Sequence, residues 1–136
     1  MVKIKICGFT RPADVKAACK LGVDLVGVIL IPESSRHVTV DQARRIFGQV
    51  EAGVSKVAVF MPRNVDEVKY FYEKLKPDYL QFHLIFPLED LLEIRGELDA
   101  QLMIVIPVPP KIERTERIIT RALELAEAAD FLLIDT

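Results

Sequence analysis

Short apolar segments alternate with longer amphipathic segments along the whole chain. The apolar segments are rich in β-branched residues and predict six strands, at 2–6, 25–31, 56–60, 79–83, 102–106 and 131–134. The segments between them repeat apolar residues at helical spacing. This alternation is typical of repeated βα units around a parallel sheet.

Residues that commonly cap helices mark three of the predicted helix starts: Thr10 before Pro12, the pair Thr39 and Gln42, and the pair Asn64 and Glu67. The fourth helix, at about 88–98, and the fifth, at about 114–128, are predicted from apolar spacing alone. Prolines 107, 109 and 110 fix the loop after the fifth strand, because proline cannot donate to a strand ladder.

Six βα repeats fit either an open doubly wound sheet or part of a closed barrel. A (β/α)8 TIM barrel has eight repeats and usually 200 or more residues, whereas this chain has 136. Periodicity leaves both architectures open, and we expect one α/β domain over residues 1–136 that ends on its sixth strand. Such an end would leave a strand edge unpaired and sticky.

Composition narrows the possible functions. With 51% hydrophobic residues the chain can bury a core, and its 18 basic and 20 acidic residues are spread without a basic cluster. This argues against a nucleic-acid partner. No apolar run reaches the roughly 20 residues of a membrane helix, and no signal peptide precedes the first strand. We expect no membrane partner and a cytoplasmic protein.

Polar residues lie near the ends of several predicted strands. Cys7 follows Lys5 on one face of the first strand, His83 follows Gln81 on the fourth, and Asp135 ends the sixth. The carboxyl ends of the strands are where parallel barrels build their active sites. We therefore expect Cys7, His83 and Asp135 to face one cavity.

Each of these residues also has a plainer interpretation. Cys7 could be a small buried hydrophobe, His83 a core histidine, and Asp135 the cap of a following helix. Cys19 lies on the apolar stripe of the first helix, so packing explains it. Two cysteines form neither a disulfide framework nor a metal site.

Several motifs occur together in the order of a known family. Residues 3–10, KIKICGFT, resemble the K-I-C-G-x-T opening of phosphoribosylanthranilate isomerases. Residues 32–36, PESSR, resemble the family's P-x-S-x-R loop, and 57–60, VAVF, its V-x-V-F strand. Residues 81–83, QFH, resemble Q-L-H, and 132–136, LLIDT, resemble L-L-L-D-T.

The resemblance implies a (β/α)8 TIM barrel, here incomplete and truncated after its sixth strand. It also implies an Amadori rearrangement in tryptophan biosynthesis, without metal or cofactor. It implies that Cys7 is the general base and Asp135 the general acid. Arg36 would bind the anthranilate carboxylate, although it could also be a solvated loop arginine. The remaining residues that we expect to bind the phosphorylated substrate are Lys5, Gln81 and His83. Lys5 could also favour the thiolate of Cys7.

The sequence departs from the family pattern in places. Leu84 stands where the family usually has glycine, and 104–106 lacks the lysine common in its fifth strand. The glycine-rich loop after the final aspartate and the last two βα units, which normally supply the phosphate site, are absent. We therefore expect this chain by itself to hold the substrate's phosphate poorly.

Two other functions compete with the isomerase. One is a non-catalytic partial barrel that associates with copies of itself, as a homo-oligomer, or with a missing C-terminal piece. The other is a histidine-pathway isomerase of the same barrel type, but that family would be expected to have aspartate where Cys7 stands.

Overall fold

The order of strands and helices is the one that the sequence predicts. The computed structural model describes residues 1–83, 86–111 and 114–136. Within these ranges the elements are β1 (Lys5–Cys7), α1 (Pro12–Lys20), β2 (Leu25–Ile29), α2 (Val40–Phe47), β3 (Ser55–Phe60), α3 (Val65–Leu75), β4 (Tyr79–Phe82), α4 (Leu88–Glu97), β5 (Gln101–Pro107), α5 (Thr115–Leu125) and β6 (Phe131–Asp135).

The six strands form one parallel sheet in the order β1-β2-β3-β4-β5-β6. Each strand pairs with the next one along the chain. A doubly wound sheet would reverse its order at a switch point, so this alternative is wrong. The sequential order is that of a (β/α)8 barrel, which confirms the expected fold class over six of its strands.

In the described part of the chain, helices pack against one face of the sheet. Its outward side chains, such as Val26, Phe60 and Ile104, join helical residues such as Val15 and Ile94 in the larger apolar core. The opposite, inner face carries a smaller cluster made of strand residues, namely Leu25, Ile29, Val57, Val59, Tyr79 and Met103. The inner face corresponds to the interior of a barrel, and Cys7 packs against its cluster.

The capping residues of two of the three predicted helix starts are confirmed. The Thr39 hydroxyl accepts from the Gln42 N–H, and the Gln42 side chain accepts from the Thr39 N–H, which closes a capping box. Asn64 caps α3 by accepting from the Glu67 N–H at 2.9 Å. The helix expected after Thr10 does begin at Pro12, but its N-cap is Arg11 and makes no side-chain cap bond, so Thr10 as the capping residue is wrong.

The two edge strands are β1 and β6. They differ slightly from prediction: β1 begins at Lys5 because the Ile4 N–H bonds the Asp24 carboxylate instead of a strand partner. Apolar side chains are exposed at both edges, with Ile4 at 55% and Ile134 at 65%. Within the described ranges, no helix is long and apolar enough to cross a membrane.

Candidate active site

Strand register brings the predicted polar residues to the inner face. Cys7 pairs with Gly27, Gln81 lies between Val59 and Met103, and Asp135 pairs with Pro107. Paired residues of parallel strands lie on the same side of a sheet. Cys7, Gln81 and Asp135 therefore share the face that carries no helices, and His83, two residues after Gln81, follows on that face at the carboxyl ends of the strands.

His83 and Asp135 approach each other across β5. Their Nε2 and Oδ2 atoms are 4.0 Å apart, and both side chains are partly exposed. The other carboxylate oxygen of Asp135 accepts from the Thr136 N–H at 3.0 Å. A distance of 4.0 Å is too long for a hydrogen bond, and the contact is an ion pair only when the imidazole is protonated. An acid and an imidazole thus face the same space.

Arg36 lies against the backbone of the Cys7 loop. Its Nη1 donates to the Cys7 carbonyl at 2.6 Å, and its backbone N–H bonds the Ser34 hydroxyl at 3.2 Å. The guanidinium covers Gly8, where an added Cβ would collide with it, and the φ of +89° at Gly8 also favours glycine. Arg36 therefore has a specific backbone partner beside the thiol, and the rest of its planar fork suits a carboxylate.

Gly27 is the residue of this site that sequence reasoning missed. A Cβ on Gly27 would lie 2.8 Å from the Cys7 sulfur. The Gly27 carbonyl also accepts the N–H groups of Gly8 and Phe9, at 2.9 and 3.1 Å. The available signal was a glycine inside the apolar run of β2, since an interior strand glycine often marks a close approach.

Gln81 is the deepest polar side chain of the site. It is only 3% exposed, and among the described residues its Oε1 atom has no hydrogen-bond partner. Most buried polar atoms do have a partner. Gln81 therefore offers an unused acceptor on the inner face, one row below His83.

Lys5 lies two residues before Cys7 on the same face of β1, about 6.6 Å along the strand. The flexible lysine side chain is long enough to span this distance to Cys7. On β5, the inner-face residues Met103 and Val105 are buried and uncharged, in keeping with the missing lysine. The departure at Leu84 lies outside the described residues.

The arrangement suits proton transfer. A thiol on β1 and a carboxylate on β6 face one inner surface from its two sides, with an amide and an imidazole between them. A guanidinium is bonded to the backbone carbonyl of the residue that carries the thiol. A substrate held on this surface would have a base on one side and an acid on the other. Among the described residues, no cluster of three or more histidine, cysteine or acidic side chains could hold a metal ion.

A family model and a similar protein of known name point to the same family. The model of a family described as N-(5'-phosphoribosyl)anthranilate (PRA) isomerase matches residues 4–135. An isomerase of that name from Methanothrix thermoacetophila is 33% identical over 137 residues, covering 100% of this chain and 62% of the relative.

Two crystal structures are also similar, each with a TM-score of 0.86 and 28% identity over 100% of this chain. One is phosphoribosyl anthranilate isomerase from Thermotoga maritima, of which 62% is covered. The other is such an isomerase in complex with reduced 1-(o-carboxyphenylamino)-1-deoxyribulose 5-phosphate, of which 66% is covered. The chain thus spans about three fifths of the length of the relatives that it matches throughout.

Proposed function

The chain belongs to the N-(5'-phosphoribosyl)anthranilate isomerase family, and on that premise we propose that the protein containing it catalyses the isomerisation for which the family is named. The product would be 1-(2-carboxyphenylamino)-1-deoxyribulose 5-phosphate, in tryptophan biosynthesis. The observation that carries the proposal is the family match over residues 4–135, in which Cys7 and Asp135 share the inner face. The comparisons do not favour a mere scaffold.

Asp135 acts first, as the general acid. It gives its proton to the ribose ring oxygen while the bond from that oxygen to C1′ breaks. The lone pair of the anthranilate nitrogen forms the C1′–N double bond of a Schiff base. The support is the position of Asp135 at the carboxyl end of β6, where one carboxylate oxygen faces the inner space toward His83.

Cys7 acts second, as the general base. Its thiolate removes the proton from C2′, and the electron pair of that bond forms the C1′–C2′ double bond while the nitrogen becomes neutral. The resulting enol-amine becomes the ketose when C1′ gains a proton and the C2′ hydroxyl loses one. The half-buried thiol packs against the inner cluster, on the side of the sheet opposite the helices.

Arg36 binds the anthranilate carboxylate. Its Nη1 is already bonded to the Cys7 carbonyl, which holds the guanidinium at a fixed place beside the base. The other N–H groups of the fork suit the two oxygens of a carboxylate. Binding the substrate at Arg36 would therefore align it with Cys7.

Gln81, His83 and Lys5 bind the ribose phosphate part of the substrate. The buried Gln81 amide can accept from a sugar hydroxyl through Oε1. His83 lies beside Asp135, where the ring oxygen would be protonated. Lys5, on the same face as Cys7, supplies a positive charge near the thiol.

Self-association is a further part of the proposal. β1 and β6 are the edges of the described sheet, and both expose apolar side chains. Burying a few hundred Å² of such surface would contribute several kcal/mol at about 25 cal/mol per Å². We expect sedimentation of the 136-residue chain to show dimers or larger species, and a monomer at all concentrations would contradict this expectation.

The activity is tested with two proteins. One is the 136-residue chain, and the other continues residues 1–136 with the rest of a family member's barrel, namely the helix after the sixth strand and the last two βα units; we call the second the extended protein. We expect chromatography to show conversion of the aldose to the ketose by the extended protein. The chain alone should be nearly inactive, because these units normally supply the phosphate site. A well-folded extended protein without turnover would refute the proposal.

A further inference from the structure

The Cys7 thiol lies against Gly27, the one residue of β2 without a side chain. A Cβ on Gly27 would lie 2.8 Å from the Cys7 sulfur and 3.3 Å from both the Cα and the Cβ of Cys7. Carbon atoms in favourable contact are about 3.5–4.0 Å apart. The sulfur would therefore have to move, whereas the two 3.3 Å approaches would need shifts of only a few tenths of an ångström.

Glycine is an unfavourable choice for this position on grounds of strand stability. The other residues of β2, Leu25, Val26, Val28 and Ile29, are all buried and apolar, three of them β-branched. Glycine in a strand interior weakens the strand because it packs nothing and restricts nothing. Gly27 faces the inner side, in the row of Cys7 and Val57. We therefore expect the absence of a side chain at position 27 to serve a purpose other than the stability of β2.

Backbone hydrogen bonds hold Cys7 and Gly27 in place, so a side chain at position 27 would displace the thiol and not the backbone. The Gly27 carbonyl accepts from Gly8 and Phe9, which fixes the chain directly after Cys7. The strand register fixes Cys7 opposite Gly27. Rotation about χ1, among three staggered positions, is then the easiest way for Cys7 to relieve a collision.

We propose that Gly27 is a positioning residue whose missing side chain sets the direction of the Cys7 thiol. It does not contact the substrate, and it acts through the base. This inference rests on the proposed function for its kinetic consequence, but the seating of the thiol can be tested without turnover. Gly8 differs from it, since a side chain there would displace the guanidinium of Arg36.

The first test is alkylation of Cys7 by iodoacetamide in the 136-residue chain, resolved by peptide mass spectrometry. In Gly27→Ala, the added methyl group should turn the sulfur away from its present direction and so alter its accessibility, and we expect the rate to change at least fivefold. Cys19 is buried in α1 and serves as an unreactive internal reference. The matched control is Gly96→Ala in α4, where an added Cβ meets nothing within 4 Å, and its rate should stay within twofold. An unchanged rate in Gly27→Ala would overturn the proposal.

The second test separates the thiol from ordinary strand packing. Gly27→Ala should lower Tm, and it should lower Tm by less than half as much in a Cys7→Ala background, where the sulfur is gone. Equal losses in both backgrounds would mean that Gly27 serves backbone packing, and the proposal would be wrong. If Gly27→Ala does not fold, the double variant must fold for the proposal to stand.

The third test uses the extended protein. A misplacement of about 1 Å in a reacting group can cost on the order of 100-fold in rate. Gly27→Ala should therefore lower kcat about 100-fold with KM nearly unchanged, whereas Gly8→Ala should mainly raise KM through Arg36. The reverse split would overturn the assignment. If the unsubstituted extended protein is inactive, the proposed function fails, and the alkylation and Tm tests still decide the role of Gly27.

Discussion

The two ends of the sheet use polar residues in opposite ways. At the amino end, Asp24, Asp78 and Asp130 each precede an even-numbered strand. Their carboxylates accept N–H groups within the preceding strand or, for Asp24, from the residue directly before it, at 2.7–2.8 Å. At the carboxyl end, the Gln81 oxygen has no partner among the described residues, and His83 is 4.0 Å from Asp135. The three aspartates are satisfied at the first end, whereas the Gln81 oxygen and the facing atoms of His83 and Asp135 are left available at the second.

The amino-end aspartates also donate. Each backbone N–H bonds the carbonyl of the residue that its carboxylate contacts, at 2.9–3.0 Å, namely Ile4 for Asp24, Lys56 for Asp78 and Leu102 for Asp130. Each aspartate therefore links the start of its even-numbered strand to the preceding strand through two hydrogen bonds, one from the carboxylate and one from the backbone N–H. We call this pair of bonds the amino-end device. The lesson is that the amino end stabilises the barrel while the carboxyl end remains free for chemistry, as in other proteins of this fold.

The largest expected effect concerns the carboxyl end. In the extended protein, Cys7→Ala or Asp135→Asn should lower kcat about 10³-fold, because each removes a proton-transfer group. Tm should change little, because neither side chain contributes much to packing. Steady-state kinetics and thermal unfolding check both statements. Retention of most of kcat in both variants would mean that the roles are wrongly assigned.

The next effect concerns the amino end. The Asp130 carboxylate accepts from the Leu102 N–H at 2.8 Å and from Arg95 Nη2 at 3.2 Å. Asp130→Ala leaves a part-buried N–H and a guanidinium without this partner, so stability should fall by about 2–3 kcal/mol. Urea unfolding measures the loss, while kcat of the extended protein should stay within twofold. A large loss of kcat without loss of stability would break the division between the two ends.

A smaller effect is expected at Asp24, which uses the same device at the exposed edge of the sheet. Among the described residues its carboxylate accepts from Ile4 alone, at 2.7 Å, and this bond is solvent-exposed. Asp24→Ala should therefore cost about 1 kcal/mol, less than Asp130→Ala. Urea unfolding of both variants in parallel tests the order. Equal losses would show that burial and Arg95 add nothing at Asp130.

Local patterns were enough to predict most of the fold. The order of elements along the chain and the carboxyl-end positions of Cys7, His83 and Asp135 follow from periodicity and strand alternation, and the Thr39 capping box follows from its residue types. The choice of a barrel over a doubly wound sheet depended on the family resemblance. What the sequence could not supply is register. The contact of Cys7 with Gly27 joins residues that are distant along the chain, and it depends on which strand residues pair.

The amino-end device was missed for a different reason. An aspartate directly before an apolar strand was visible in DLV, DYL and DFL, at 24–26, 78–80 and 130–132. Each aspartate has an ordinary interpretation as a loop residue, and only the bonds to Ile4, Lys56 and Leu102 reveal its role. The roles of Lys5, Gln81, His83 and Arg36 in binding stay predictions.

The smallest expected effect concerns Glu67, a carboxylate that stabilises the fold at the carboxyl end of the sheet. Its Oε2 accepts from the Arg63 N–H at 2.7 Å, and this backbone bond is the main reason why the pKa of Glu67 lies below its ordinary value of 4.5. A lowered folded-state pKa adds stability above the unfolded-state pKa, and this stability is lost as pH falls through the folded-state value.

Glu67→Gln should therefore reduce stability at pH 7 by a few tenths to about 1 kcal/mol, and the difference from the unsubstituted chain should shrink once pH drops below 4.5. The control is Glu73→Gln, which removes only an exposed pair with Lys76, so its effect at pH 7 should be smaller. Urea unfolding of the three proteins at pH 7 and at pH 3 makes the comparison. A difference for Glu67→Gln that stayed constant down to pH 3 would show that its charge does not hold the loop, and the carboxyl end would then owe none of its stability to a carboxylate.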